Sequence, residues 1–282
     1  MQGPRFSRAE QCGFLALGLA LVMAWIHPLL PLIPLLFFLL CCLVAPFLPG
    51  YGFYLAITHR APAKTKRVGL SFDDGPSAAT TPVVLELLAR YQLQATFFLI
   101  GEKAAAAPEL VRAILEQGHT IGNHSWRHDP LLMLRSPATI CQDLRATQEL
   151  LARFAIRPLL FRPPAGITGP RLRQALAREQ LTTVTFSCRA LDRGNRQVRD
   201  LARRILSRVR PGDIIMLHDL PPQPEELLPL WQQELEQLLA SLASQQRVVP
   251  LDELLGRAVM ESNCGAEGKT AAPLAKGRAS GL

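Results

Sequence analysis

The stretch VGLSFDDGPSAATTPVVLELLARY, residues 68–91, changes its period half way along. The first part, with Arg67 in front of it, is a short apolar run and reads as a strand over Arg67–Phe72. The last part carries apolar residues at helical spacing and reads as a helix over Thr81–Tyr91. Pro82 falls in its first turn, where a missing N–H costs nothing. Between strand and helix stand two adjacent acids, Asp73 and Asp74, and the turn Gly75-Pro76. A strand sends neighbouring side chains to opposite faces, so adjacent carboxylates are expected to do different jobs. A polar turn accounts for the same residues without chemistry, because Asp-Gly and Gly-Pro are ordinary loop punctuation.

The alternation continues along the chain. ATFFLIG (95–101), part of HTIGNHS (119–125), PLLF (158–161), LTTVTFS (181–187), DIIML (213–217) and RVVPL (247–251) read as strands. Helices are expected at Pro108–Gln117, Ala138–Phe154, Pro170–Arg178, Val198–Val209 and Leu228–Ser244. Short apolar runs alternating with helices predict a parallel sheet with crossovers. Six or seven such strands fit a (β/α) barrel, whose chemistry sits at the C-terminal strand ends. SFDD, GNHS, LFRPP and MLHD all fall at such ends, which raises them above turn residues. HSWRH places His124 and His128 four residues apart. On a helical turn that spacing puts both imidazoles on one face, suited to one metal. Surface pairs at this spacing also arise by chance. Joined by a carboxylate, with positions left for water, two histidines describe a catalytic zinc site.

The chain has 282 residues, is 49% hydrophobic and carries a net charge of +8. From Gln11 to Thr58 it has no Asp, Glu, Lys or Arg. As one helix that stretch would run roughly 70 Å, against a bilayer core of about 30 Å. HPLLP (27–31) breaks it, which predicts an N-terminal transmembrane hairpin of Cys12–Ile26 and Leu29–Phe47. One span plus an interfacial segment is the alternative. Tyr51, Phe53 and Tyr54 follow as an interfacial aromatic belt. Arg5 and Arg8 precede the stretch, and Arg60, Lys64, Lys66 and Arg67 follow it. Positive-inside logic then predicts an integral inner-membrane protein with its main domain on the cytoplasmic face, the periplasmic face being the alternative. The expected division is an N-terminal flank (1–10), a membrane anchor (11–57), a basic linker (58–66), a catalytic domain (67–260) and a disordered tail (261–282).

Cys12, Cys41 and Cys42 lie in the apolar stretch, and Cys141, Cys188 and Cys264, an odd number at wide spacing, form neither a disulfide framework nor a cysteine-based zinc site. RQVRDLARRILSRVR (196–210) places Val198, Leu201, Ala202, Ile205, Leu206 and Val209 at helical spacing, so its arginines form a solvated face. Contact with anionic membrane lipids is the second reading. No nucleic-acid motif accompanies it, and no nucleic-acid partner is expected.

In chain order, SFDDGP, HSWRH, RPPAG (162–166) and the MLH of IIMLHD resemble the ordered signature of the polysaccharide deacetylase, or NodB-homology, family. The resemblance runs from about Arg67 to about Leu255. It implies a distorted (β/α) barrel of about seven strands and one divalent metal, zinc by default. The implied reaction is hydrolysis of an N-acyl group, acetyl or formyl, on an amino sugar of a polysaccharide or lipid-linked glycan. Asp74, His124 and His128 would hold the metal, and Asp73 would be the general base. The backbone N–H at Ala165 would receive the oxyanion, and His218 would protonate the departing amine. Arg162 resembles the arginine that orients the base, and Asp192 the carboxylate that tethers the catalytic histidine. An O-acetyl esterase and an inactive glycan-binding or scaffold relative are the rival readings.

The chain departs from the family pattern in three places. Arg189 and Arg193 stand where the family's fourth motif has an acid and a tryptophan. Ala165 replaces a tyrosine, and Met216 a leucine. Two aromatics lost and two arginines gained move the expected substrate from a long neutral glycan to an anionic one, such as a lipid-linked sugar phosphate. Arg189, Arg193 and Met216 are its expected contacts, solvated arginines being the alternative.

Overall fold

A computed structural model describes residues 6–62, 65–245 and 247–262; the expected disordered tail lies, from residue 263 on, outside them. In chain order the strands are β1 (Ile57–Thr58), β2 (Gly69–Gly75), β3 (Ala95–Leu99), β4 (Thr120–Asn123), β5 (Ile156–Pro158), β6 (Leu160–Phe161), β7 (Thr182–Val184), β8 (Cys188–Arg189), β9 (Ile214–His218) and β10 (Met260–Ser262). Eight of them form one sheet in the order β1-β7-β6-β4-β3-β2-β9-β8. Every neighbour in it is parallel. β10 pairs antiparallel with β5 beside it. The sheet is a curled half-barrel, left open between its edges β1 and β8. β2 and β3 lie at its centre and are buried along nearly their whole length, as a strand covered on both faces should be.

The helices are α1 (Arg8–Ala24), α2 (Leu32–Val44), α3 (Thr81–Arg90), α4 (Gly101–Ala106), α5 (Pro108–Glu116), α6 (Pro137–Ala152), α7 (Leu172–Glu179), α8 (Leu201–Leu206), α9 (Leu228–Ser244) and α10 (Leu251–Leu255). Their apolar stripes bury against the sheet. Phe72, Phe97, Leu88, Ile114, Ile205 and Trp231 share the main core. In it the Phe72 and Phe97 rings stack at 5.2 Å. A second cluster packs Ile140 and Leu144 of α6 and Leu172 and Leu176 of α7 on Phe161.

Three sequence-based elements differ. RVVPL is not a strand: Val248 makes a single bridge to Val68, and Pro250, with no N–H to give a ladder, leads into α10. PLLF splits into β5 and β6, because Leu159 turns its N–H to Val259 instead. The Val198–Val209 helix contracts to α8, since Asp200 before it is left-handed (φ 60°). The apolar stripe survives, with Val198, Leu201, Ala202 and Ile205 buried.

The expected transmembrane hairpin requires correction, and with it the integral inner-membrane location. A helical hairpin forms, but α1 and α2 have 17 and 13 residues. At about 1.5 Å per residue they reach only roughly 25 and 20 Å, short of a bilayer core of about 30 Å. Among the described residues no helix is long and apolar enough to cross a membrane. Prolines explain the shortfall: Pro28 and Pro31 lie in the turn between the helices, and Pro46 lies in the 3-10 turn after α2. The end of the apolar stretch joins the domain. Phe53 is buried, and Leu55 and Ile57 pack into the α6–α7 cluster. Tyr54 donates its hydroxyl to the Cys42 carbonyl at 2.6 Å, so of the three expected belt aromatics Phe53 and Tyr54 pack inward and Tyr51 alone stays exposed. The hairpin itself exposes apolar side chains, with Trp25 at its tip 91% accessible.

Candidate active site

The two acids of SFDDGP owe their shared direction to a backbone irregularity. β2 pairs with β9 in parallel register up to Asp73, which lies opposite His218. On its other side Asp73 pairs with Phe98 and Gly75 with Leu99, which leaves Asp74 as the extra residue of a bulge. Asp74 is left-handed (φ 70°), a conformation Asp adopts more readily than most residues. A bulge re-aims a side chain that a regular strand would send to the far face. Asp73 and Asp74 therefore line one cleft.

Distant groups brace this turn. Lys103 Nζ donates to the Asp74 carbonyl at 2.7 Å, and the Asp219 N–H donates to the Asp73 carbonyl at 2.7 Å. The buried Asp219 carboxyl accepts from the hydroxyls of Thr80 (2.7 Å) and Thr81 (2.6 Å). Burial pushes it up to about 6 against those two donors. A Cβ on Gly75 would collide with the same carboxyl. No local signal marks Lys103, Thr80 or Thr81 in the sequence, and Asp219, the last residue of MLHD, takes no role from that motif.

His124 and His128 meet Asp74 from the loop after β4. The loop is not the helical turn the spacing predicts. Ser125 (φ 68°) and His128 (φ 54°) are both left-handed, and they fold it back until the imidazole centroids are 4.9 Å apart. Asn123 Oδ1 accepts from Ser125 N, Ser125 Oγ from His128 N and Asp143 Oδ1 from Trp126 N. His124 Nδ1 lies 2.7 Å from the Arg162 carbonyl, an acceptor only. The ring must donate there, which turns its Nε2 lone pair to the cleft. Nε2 of His124 and of His128 stand 3.3 and 3.2 Å from Asp74 Oδ1.

That oxygen is buried and accepts no hydrogen bond. Burial opposes its charge, yet the facing imidazoles hold the Asp74 carboxyl well below the usual carboxylate range. Burial pushes His124 down, but the carboxylates of Asp73 and Asp74 outweigh it and the net direction is up. Burial leaves His128 lowered. The three ligand atoms lie within 4.8 Å of one another. An orphaned anionic oxygen converging with two ring nitrogens fits a divalent cation, and a proton on either ring competes for the same lone pairs.

Behind Asp73 lies Arg162, 1% exposed. Its Nη1 donates to Asp73 Oδ1 (2.6 Å) and Ser71 Oγ (2.8 Å), its Nη2 to the Thr185 carbonyl (2.9 Å). The guanidinium sits 3.9 Å over the Phe98 ring. Opposite, His218 Nδ1 lies 2.8 Å from Asp192 Oδ2. Burial pushes this imidazole down, but Asp192, with Asp74 and Asp73 beyond it, outweighs burial and moves it up. In the proton-donor role that the family resemblance implies, His218 would work below its pKa. Asp192→Asn removes the raising charge, so the basic limb of the kcat/KM profile is expected to move to lower pH. A pH series on wild type and variant reads the shift.

The cleft has a volume of about 810 Å³. Asp73, Asp74, His124, His128, Asp192 and His218 line it, together with Ala165, Arg189, Arg193 and Met216. Of the residues singled out in the sequence only Arg162 stands behind the wall. Ala165 is left-handed (φ 55°) in the turn Pro164–Gly166. Arg196 and Phe186 line the cleft too, and neither was marked by a motif.

The family model for polysaccharide deacetylase matches residues 60–184. A peptidoglycan-N-acetylglucosamine deacetylase of Bacillus cereus is 33% identical over 165 residues, 58% of this chain and 77% of that protein. A chitooligosaccharide deacetylase of a Bradyrhizobium species is 36% identical over 169 residues, 57% of this chain and 74% of that protein. A solved peptidoglycan N-acetylglucosamine deacetylase superposes with a TM-score of 0.65 at 28% identity, covering 72% of this chain and 94% of the other. With the motifs in order and the strand-end cleft in place, the chain belongs to the polysaccharide deacetylase family.

Proposed function

We propose that the chain is a metal-dependent hydrolase that removes an N-acyl group, acetyl or formyl, from an amino sugar of a polysaccharide or lipid-linked glycan. The observation that carries this reading is the orphaned Asp74 oxygen facing two imidazoles, beside an acid and a histidine paired across adjacent strands. A divalent ion held by Asp74, His124 and His128, zinc by the donor set, supplies Lewis acidity toward the acyl carbonyl and the attacking water.

The other roles belong to the chain itself. Asp73, fixed by Arg162, takes the proton of the attacking water as the C–O bond forms. The Ala165 N–H receives the developing oxyanion. His218, its far nitrogen held by Asp192, gives a proton to the sugar nitrogen as the C–N bond breaks. A free amine and a carboxylic acid leave. An amine needs that proton more than an alcohol does, and the His218–Asp192 pair can supply it; the same site would also serve an ester, and the assay below separates the two. Every core position of the family pattern is also present, which speaks against an inactive relative.

The test compares N-acetylated and O-acetylated sugars on the purified chain, with zinc, with a chelator, and with zinc restored. Acetate release from the amide, lost on chelation and regained with zinc, is the expected result. Release from the ester alone would make the chain an esterase. Release from neither, with metal bound, would remove the hydrolase reading.

A further inference from the structure

We infer that the cleft is built for an acylated amino sugar that carries a phosphate group, read by Arg189, Arg193 and Arg196; this rests on the deacetylase reading above. Each carboxylate in the cleft already has a cationic or imidazole partner. Asp73 has Arg162, Asp192 has His218, and Asp74 has the two ligand imidazoles. The three arginines are exposed and line the same cleft. Among the described residues none of the three is within ion-pair distance of an acid, and what sets them apart from other exposed, unpaired arginines is that they lie together on one cleft. Their oriented contacts are neutral. Arg189 lies 5.2 Å over the Phe186 ring, and Arg196 Nε donates to Gln223 Oε1 at 3.2 Å. The rim thus carries positive charge that the protein leaves unmatched.

The loop that presents these side chains is held in place. Leu191 (φ 59°), Arg193 (φ 53°) and Asn195 (φ 59°) are all left-handed, and so is Gly194 (φ 68°). Backbone of this kind costs free energy at each non-glycine residue and persists only where its surroundings enforce it. Asn195 supplies that enforcement. It is 1% exposed and donates Nδ2 to the carbonyls of His218 (3.1 Å) and Leu220 (2.7 Å). Its own N–H reaches Asp192 Oδ2 at 3.3 Å, and the Gln197 N–H reaches the Asp192 carbonyl at 2.9 Å. The arginine loop is therefore tied to the strand end that bears the catalytic histidine.

Guanidinium forks match phosphate oxygens two at a time. A single carboxylate occupies one fork and leaves two charges unanswered, whereas a phosphate offers more oxygens and up to two charges. Across the cleft from these arginines, the wall that includes Gly166 meets the segment that follows the apolar hairpin. Thr168 N donates to the Pro46 carbonyl, Thr185 Oγ1 to the Pro49 carbonyl, and Gly166 packs beside Pro49. The phosphate is either free on the sugar or esterified to an apolar chain, and the substrates tested separate these sources.

The experiment gives the zinc-loaded full chain three substrates: the methyl glycoside of N-acetylglucosamine, its 1-phosphate, and a prenyl ester of that phosphate. The expected kcat/KM is at least about tenfold higher with phosphate than without, and Arg189→Gln with Arg193→Gln erases most of that ratio. Added salt also lowers it, because the rim is exposed. A further gain with the prenyl ester assigns the lipid-linked source, and equal rates assign the free one. A wild-type ratio near one, or a ratio unchanged in the double variant, overturns the inference. Calorimetry of the 1-phosphate on a His218→Ala chain, with and without the arginine changes, reads the site without turnover. A chain that binds through its arginines yet hydrolyses nothing overturns the deacetylase reading alone.

Discussion

Asp73→Asn is expected to lower turnover of an N-acetylated sugar by about a thousandfold while the chain keeps its metal. The amide has the size of the carboxyl and still offers an oxygen to Arg162 Nη1, now 2.6 Å from Asp73 Oδ1. Asn cannot take a proton from the attacking water. The ligand set is spared, because Asp74 is aimed by its own bulge and braced by Lys103. Kinetics and zinc content, measured on the same preparation, separate lost chemistry from lost metal. Activity within tenfold of wild type would take the base role from Asp73. Zinc loss in step with activity would mean that the two acids are not independent.

Arg162→Met is expected to destabilise the fold by about 3 kcal/mol or more, in the range for breaking a buried ion pair. The side chain joins three strands: its donors reach Asp73 and Ser71 of β2 and the Thr185 carbonyl just past β7, while its plane covers Phe98 of β3. Methionine fills similar volume but leaves a buried carboxylate, a hydroxyl and a carbonyl without their donor. The Arg162 carbonyl that takes His124 Nδ1 is main chain and survives the change. Stability should thus fall further than zinc affinity. Urea unfolding of the zinc-loaded chain measures the first, and a competing chelator the second. A stability loss below about 1 kcal/mol would show that the network does not depend on the guanidinium.

The strand-turn-helix unit at β2–α3 was legible because apolar runs and helical spacing are local properties of a sequence. The residues proposed as ligands, base and acid were legible because each lies in a short motif at a strand end. What escaped depends on backbone conformation or on partners far along the chain. Nothing in SFDDGP marks the bulge, and nothing in HSWRH marks its left-handed loop. Lys103 and Asn195 act on residues about 20 or more positions away. The N-terminal stretch misled for a related reason. HPLLP marks the break between the helices, but hydropathy does not register that Pro46 helps cut the second helix short, or that Phe53, Leu55 and Ile57 turn back into the core.

The kink at Asp74 narrows what this position can ever become. Asn and Gly accept the same dihedral, whereas Ala, Val or Glu would tend to straighten the strand tip and drag Asp73 away from Arg162. One mutational step there would displace the proposed ligand and the proposed base together, so a lineage losing this activity by that route would lose it abruptly, without a half-active ancestor.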